Sequence, residues 1–300
     1  MTRRLGAMVN DANVAAETLA DDALARWRFL NARREAVIGA IRARRGDEGD
    51  YWTARAASPS FQMRVDPARR FPPLDQLLAV VDRGTTVLDV GAGWGRFAIP
   101  LAQAARGVTA VEPSAPLRAL LHENAVAAGV GDGQLRIVGA EWEAAAVAPA
   151  DVVLCANVLS PLADLEPFLR KLDAHTLRRC YIVLRAVPMD APLYPLWQAI
   201  HGVPYPRETT HADAFAALDA LGIPAQVALL PAVAEVWSFA APDDAARHAR
   251  ERLWLGPVGN DPHADRLLAD WLAATLERDG DRWRIPATEP RQALIWWEKA

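Results

Sequence analysis

The sequence predicts an α/β fold, a doubly wound and mostly parallel sheet with helices on both faces. Three observations carry that prediction. From Leu74 to Phe239, short apolar runs rich in valine and isoleucine alternate with stretches of helical period, so each strand is followed by a helix and the crossovers are right-handed. The first such run, Thr86-Val87-Leu88-Asp89-Val90, ends on three glycines spaced G-x-G-x-G, namely Gly91, Gly93 and Gly95. The second run, Val108 to Val111, ends on an acid, Glu112.

Glycines after a buried strand permit a tight turn and let main chain approach a ligand over the following helix N-terminus. A carboxylate closing the neighbouring strand can accept from both hydroxyls of a ribose, and its charge strengthens those bonds. Arg96 stands where the dinucleotide fingerprint G-x-G-x-x-G requires its last glycine, which makes NAD the second choice of ligand.

The stretch Asp89-Val90-Gly91-Ala92-Gly93-Trp94-Gly95, with Glu112, resembles the first two motifs of the class I S-adenosylmethionine (SAM) dependent methyltransferases, in particular those with small-molecule acceptors. The resemblance spans roughly residues 74–239. It implies a Rossmann-like seven-stranded sheet whose last strand is antiparallel, SAM as cofactor, and cofactor contacts from Asp89, Gly91, Ala92, Gly93, Gly95, Glu112 and Pro113. Trp94 departs from the small polar residue common there and bears on the methionine end of the pocket.

In chain order, a helix is expected over 18–45, with Leu24, Trp27, Leu30, Ile38 and Ile41 on its apolar side. Its arginines, from Arg26 to Arg45, are mixed with Glu17, Asp21, Asp22 and Glu35 and read as a solvated face. Tyr51 and Trp52 begin an aromatic lead-in. Related methyltransferases place a similar segment near the cofactor, and packing a helix on the core is the alternative. Leu74 to Val81 reads as a short helix before the first strand. Ser114 and Pro116 start the helix through Leu121, and Gln134 to Val138 is the third strand.

The following Gly139-Ala140-Glu141-Trp142 falls where the family holds the adenine. Glu141 then accepts from the exocyclic amine and Trp142 packs on the ring, unless both only cap the next helix. Asp151 to Ala156 is the fourth strand, and Asn157-Val158 ends the family's fourth motif beside the methyl group. The N-P-P-Y motif of amine methylation is absent, and no proline precedes Cys155 as in RNA cytosine methylation. Asp164 caps the next helix, and Cys180 to Arg185 forms strand five.

Ala186 to Thr209 is expected as a long loop at the carboxyl edge, with Tyr194, Trp197 and Tyr205 as pocket residues and His201 as the candidate base. A dimer interface is the alternative for these aromatics. Thr210 starts a helix; Gln226 to Leu230 and Glu235 to Phe239 are strands. Two helices open at Pro242 and Pro262, a short strand includes Trp283 and Ile285, and Ala293 to Trp297 is the terminal strand. Three regions follow: an N-terminal helical extension with aromatic lead-in (1–70), the SAM-binding core (71–240), and a helical cap insertion with the returning strand (241–300).

The 300 residues are 52% hydrophobic and 23% charged, the balance of a globular chain, with no run long enough to span a bilayer. A net charge of −4 gives no broad footprint for nucleic acid. Two cysteines without metal-ligand spacing argue against zinc or a disulfide framework, and the strand-four end offers no acidic cluster for a divalent metal. No apolar stretch follows the N-terminal arginines, so a cytoplasmic protein is expected. The expected partner is a small molecule, not nucleic acid or membrane, with a homodimer as an open alternative. RNA or protein methylation, and cofactor binding without transfer, remain the competing functions.

Overall fold

Alternation of side chains along each central strand builds the fold from the inside. Val87 faces one apolar cluster and Leu88 the other; Val152 and Leu154 likewise oppose Val153 and Cys155. A sheet apolar on both sides must be covered on both, and it is. In this computed structural model, residues 22–44, 65–188, 190–231, 237–285 and 292–299 are described.

The central elements are β1 (Thr86–Val90), α3 (Ala98–Ala104), β2 (Gly107–Val111), α4 (Ala115–Ala127), β3 (Leu135–Val138), β4 (Ala150–Ala156), α5 (Leu165–His175) and β5 (Thr176–Arg185), preceded by α1 (Ala23–Ala43) and α2 (Pro72–Leu78). After β5 come α6 (Tyr194–His201), α7 (His211–Ala220), β6 (Gln226–Leu229), β7 (Trp237–Phe239), α8 (Pro242–Arg252), α9 (Pro262–Thr275), β8 (Glu277–Asp279), β9 (Arg282–Ile285) and β10 (Gln292–Glu298). The seven-stranded sheet runs β3-β2-β1-β4-β5-β10-β6. Strands β1 to β5 pair in parallel, and β10 lies antiparallel between β5 and β6. The antiparallel last strand and the Rossmann-like architecture are as the resemblance implied.

One face carries α2, α3 and α4 through Leu74, Leu77, Ile99, Leu101 and Leu121; the other carries α5 and α7 through Phe168, Leu169, Ala214 and Leu218. Helix α4 starts on Ser114, whose hydroxyl accepts from Leu117 N–H. Helix α7 has a capping box in which Thr210 and Asp213 satisfy each other's ends.

Helix α1 belongs to two layers. The Nε1 of Trp27 donates to the Leu162 carbonyl at 2.7 Å, while Val37, Ile38 and Ile41 join Leu196, Leu253 and Leu268 in a separate helical cap cluster. Its arginines are not a uniformly solvated face, contrary to the pattern reading. Arg26 is paired with Asp213 at 3.4 Å, Arg33 is buried, and Arg34 is largely enclosed. A mixed charge pattern does not show which turn of a helix meets a neighbour.

Two further differences stand out. The segment 186–209 is not one loop, because residues 191–193 form a 3₁₀ turn that runs into α6, closed by Gly202 at φ 69°. The strand at Trp237–Phe239 pairs with β9, and β9 with β8, in a separate three-stranded sheet under the cap. No helix among the described residues is long and apolar enough to cross a membrane.

Candidate cofactor site and the acceptor-side cluster

The turn after β1 is held by its own geometry. Gly91, Gly93 and Gly95 have φ of 74°, 57° and 93°, where L side chains are strained. A Cβ on Gly91 would lie 2.3 Å from Val158 Cγ2, and one on Gly95 would lie 2.4 Å from Leu121 Cδ1. Those two glycines therefore serve packing. Gly93 serves approach, since an added Cβ there would meet nothing within 4 Å.

Glu112 is tied into this turn. Its Oε2 accepts from Gly93 N–H at 2.8 Å and its Oε1 from Ser114 N–H at 2.9 Å. Burial raises its pKa, and the two N–H groups and Arg118 act in the opposite direction. Arg118 donates to the carbonyls of Glu112 and Pro113 and lies where a Gly139 side chain would be. Glu141, exposed, is close enough to Glu112 to repel its charge.

Beneath the turn lies Asp89, 1% exposed. Burial pushes its carboxyl up to about 7, the Glu112 charge pushes the same way, and the Ala98 N–H opposes them. Its Oδ2 has no hydrogen-bond partner. On the far side, Asn157 adopts φ 58°, and its N–H donates to the Val183 carbonyl at 2.8 Å, turning Val158 against Gly91. Thus Gly91, Gly93, Gly95, Glu112, Asn157 and Val158 converge at the carboxyl edge of β1, β2 and β4. Pro113 is exposed beside them, Ala92 is buried in the turn, and Ala140 is half-buried after β3. An open glycine backbone, a fixed carboxylate and an orphaned buried acid fit a ligand with hydroxyls and a positive charge. SAM has both.

Trp142 does not stand with this group. Its Nε1 donates to the Phe168 carbonyl at 3.3 Å, its ring meets Phe168 and His175 edgewise, and the Lys171 ammonium lies 4.5 Å from it. At 3% exposure it has no face to offer an adenine. The expectation that it packs on the ring is corrected: the indole anchors α5 to the sheet.

His201 and Trp197 are also placed elsewhere than expected. His201 Nε2 lies 2.9 Å from the Leu253 carbonyl, and its ring packs on Trp197, which is fully buried in the cap. A ring fixed between two cap helices is not poised as a base, so His201 is corrected to a structural role and Trp197 to a core one. Tyr51 and Trp52 lie outside the described residues.

Tyr194 and Tyr205 are brought together, stacked with centroids 4.3 Å apart and planes at 18°. They belong to a charged cluster that the sequence did not reveal. Tyr205 Oη donates to Asp190 at 3.4 Å, and Asp190 accepts from Arg252 Nη1 at 2.5 Å. Glu208 has its pKa raised by burial, with Asp190 adding to this, while Arg34, Arg185 and a Tyr205 hydrogen bond act against it. Burial works against the Arg34 guanidinium, but Tyr205 and Glu208 outweigh it and leave its pKa raised. Since Arg185 ends β5, this cluster lies at the carboxyl edge one strand beyond β4. Among the described residues no group of three or more His, Cys, Asp or Glu side chains is arranged to hold a metal.

Residues 87–178 match the model of a methyltransferase domain. No curated protein matches the chain. Similar solved structures include a SAM-dependent methyltransferase from Thiobacillus denitrificans in complex with S-adenosyl-L-homocysteine, 14% identical, covering 84% of this chain and 99% of that one with a TM-score of 0.47. The magnesium protoporphyrin IX methyltransferase from Synechocystis with bound S-adenosylhomocysteine is 15% identical, covering 88% and 95% with a TM-score of 0.46. YcgJ from Bacillus subtilis is 14% identical, covering 75% and 97% with a TM-score of 0.47. Likenesses at this level say nothing of substrate. The glycine turn, the Glu112 strand end and the Asn157 turn all fall inside the span that matches a methyltransferase domain.

Proposed function

We propose that this protein transfers the methyl group of SAM to a small-molecule acceptor by direct in-line displacement, releasing S-adenosylhomocysteine. The observation that carries it is the Glu112 carboxylate bound by Gly93 and Ser114 N–H groups, level with the open Gly93 backbone. Each oxygen keeps a second lone pair for a ribose hydroxyl. When bound, SAM supplies a methyl group made electrophilic by its sulfonium.

Given that, the chain mainly has to orient and to exclude water. In this reading Gly91, Ala92, Gly93 and Gly95 shape the floor under the cofactor, and Asp89 braces that floor through Ala98 N–H while adding negative charge beneath it. Glu112 and Pro113 border the ribose, and Ala140 and Glu141 border the adenine. Asn157 and Val158 face the methyl end. The helical cap roofs the acceptor side. Nucleic acid and membrane are not partners in this reading, and the setting is the cytoplasm; a homodimer stays compatible with it. The net charge of −4 supports the exclusion of nucleic acid, because phosphate contacts carry most nonspecific affinity.

Calorimetry tests the reading. SAM and S-adenosylhomocysteine should bind the wild type, and Glu112→Ala should lose about 2 kcal/mol, roughly thirtyfold in Kd, the scale of lost charged hydrogen bonds. NADH binding more tightly than S-adenosylhomocysteine, or an unaffected variant, would refute it.

A further inference from the structure

Asp89 is a buried acid with no cation set against it. It is the penultimate residue of β1, in register with Ala110 of β2 and Leu154 of β4, so its side chain lies on the apolar face that carries α2, α3 and α4. At 1% exposure it has almost no water to screen it, and its Oδ2 has no hydrogen-bond partner. Two titratable groups from the neighbouring strands face it. Glu112, after β2, adds a charge of the same sign, and the Cys155 thiol, on β4 in register with Val90, is held neutral by burial. Among the described residues that act on Asp89 by charge, none is positive.

Glu112 differs in this respect. The N–H groups of Gly93 and Ser114 donate to its two oxygens, and Arg118 attracts its charge. Asp89 is therefore the uncompensated acid of the pair. The turn above it is fastened down, since the N–H groups of Gly91 and Ala92 donate to the Val111 carbonyl at 2.8 and 3.1 Å, while the Gly93 backbone stays open. A ligand laid on that backbone lies over a buried negative charge. A positive group completes such a site, and a molecule of the same shape without the charge leaves it incomplete. SAM and S-adenosylhomocysteine are such a pair, differing by one methyl group and the unit charge on sulfur. Across roughly 10 Å at an effective dielectric constant of about 20, one unit charge favours an opposite one by about an order of magnitude in an equilibrium constant.

We propose that Asp89 is the residue by which this site distinguishes SAM from S-adenosylhomocysteine: it ionises beneath the sulfonium and takes back a proton once the methyl group and the charge have left, which loosens the product. This rests on the methyl-transfer reading for the identity of the cofactor, while the discrimination of charge stands on the buried acid itself. Its sign is fixed. A cation above Asp89 favours the carboxylate, so the preference for SAM grows as pH rises through about 7, where the unliganded carboxyl titrates.

Calorimetric titration of both ligands into the wild type at pH 6, 7 and 8 reads that preference as a ratio of Kd values. If SAM lowers the Asp89 midpoint by about one unit, the ratio should favour SAM about fivefold more at pH 8 than at pH 6. In Asp89→Asn that rise should disappear, leaving only the drift from the ligands' own α-amino groups, which titrate at about 8. Carbon-13 NMR of the aspartate carboxyls in the wild type gives a second reading that needs no variant. One resonance should titrate at about 7 with S-adenosylhomocysteine bound and about one unit lower with SAM. A wild-type ratio that does not vary with pH, a stronger preference for SAM at pH 6, an Asp89→Asn protein with the wild-type rise, or no aspartate whose midpoint differs between the two complexes would each overturn the role of Asp89. Those outcomes leave the methyl-transfer reading standing. Failure of both ligands to bind is read separately and overturns that reading together with the role of Asp89.

Discussion

Asp89→Asn isolates the electrostatic tension under the glycine turn. The wild-type carboxyl is fully buried and titrates at about 7, against an ordinary value of 3.8. A native pKa above the unfolded one means that the folded state holds the proton more tightly. This favours folding below pH 3.8 and is lost as pH rises through 7. The slope approaches about 1.4 kcal/mol per pH unit and flattens near the folded pKa, so the wild type gives up about 2 kcal/mol between pH 5 and pH 7, and about 4 kcal/mol in full.

Asparagine has no proton to lose. Its amide oxygen can still accept from Ala98 N–H, while its NH2 replaces an oxygen that has no partner, a fixed cost of about 1–3 kcal/mol at every pH. Urea unfolding of both proteins at pH 5, 6, 7 and 8 cancels, in the difference, the titrating groups that do not interact with Asp89. The stability of the variant relative to wild type should rise steadily from pH 5 to pH 7 and level off by pH 8. A difference that does not vary with pH would refute the reasoning.

Other outcomes follow from the same geometry. Gly95→Ala combines a φ of 93° with a Cβ 2.4 Å from Leu121 and 2.7 Å from Ile99, and should cost about 2–4 kcal/mol in urea unfolding. Trp142→Phe removes the bond to the Phe168 carbonyl and weakens the Lys171 contact, and should lower stability by about 1–2 kcal/mol with S-adenosylhomocysteine affinity within twofold. A tenfold loss of that affinity would return Trp142 to the cofactor. Filter binding at moderate ionic strength should retain no RNA, and salt-sensitive retention would contradict the proposed acceptor class.

The cofactor side was legible because its chemistry is local. Gly91, Gly93 and Gly95 need left-handed backbone, Glu112 ends a strand beside them, and such constraints appear as residue types at fixed spacing. The cap side was not. Trp142 reads as an aromatic at a ligand edge, and only Phe168 and Lys171, from a helix later in the chain, turn it inward. Arg34 reads as one arginine of many on a mixed helix, and its role depends on Tyr205 and Glu208 folding back over it. His201 has the chemistry of a base but spends its Nε2 on the Leu253 carbonyl. The second sheet was missed because β7 and β9 are short and are separated by two helices.

The position of β10 bears on how the molecule assembles. It separates β5 from β6, yet its residues follow β6 only after the two cap helices and the second sheet. Until Gln292–Glu298 dock, β5 has an open edge and β6 has no neighbour to pair with. Strands β1 to β5 can form from pairings between nearby segments, whereas the last third of the sheet requires closure of a long loop, the slow and entropically costly kind of contact. Refolding should therefore proceed in two stages, with the half carrying Glu112 and the glycine turn ordered first and an apolar strand edge exposed in between. The same edge, bearing Ile182 and Leu184, is the segment that would drive aggregation if the final strand were delayed.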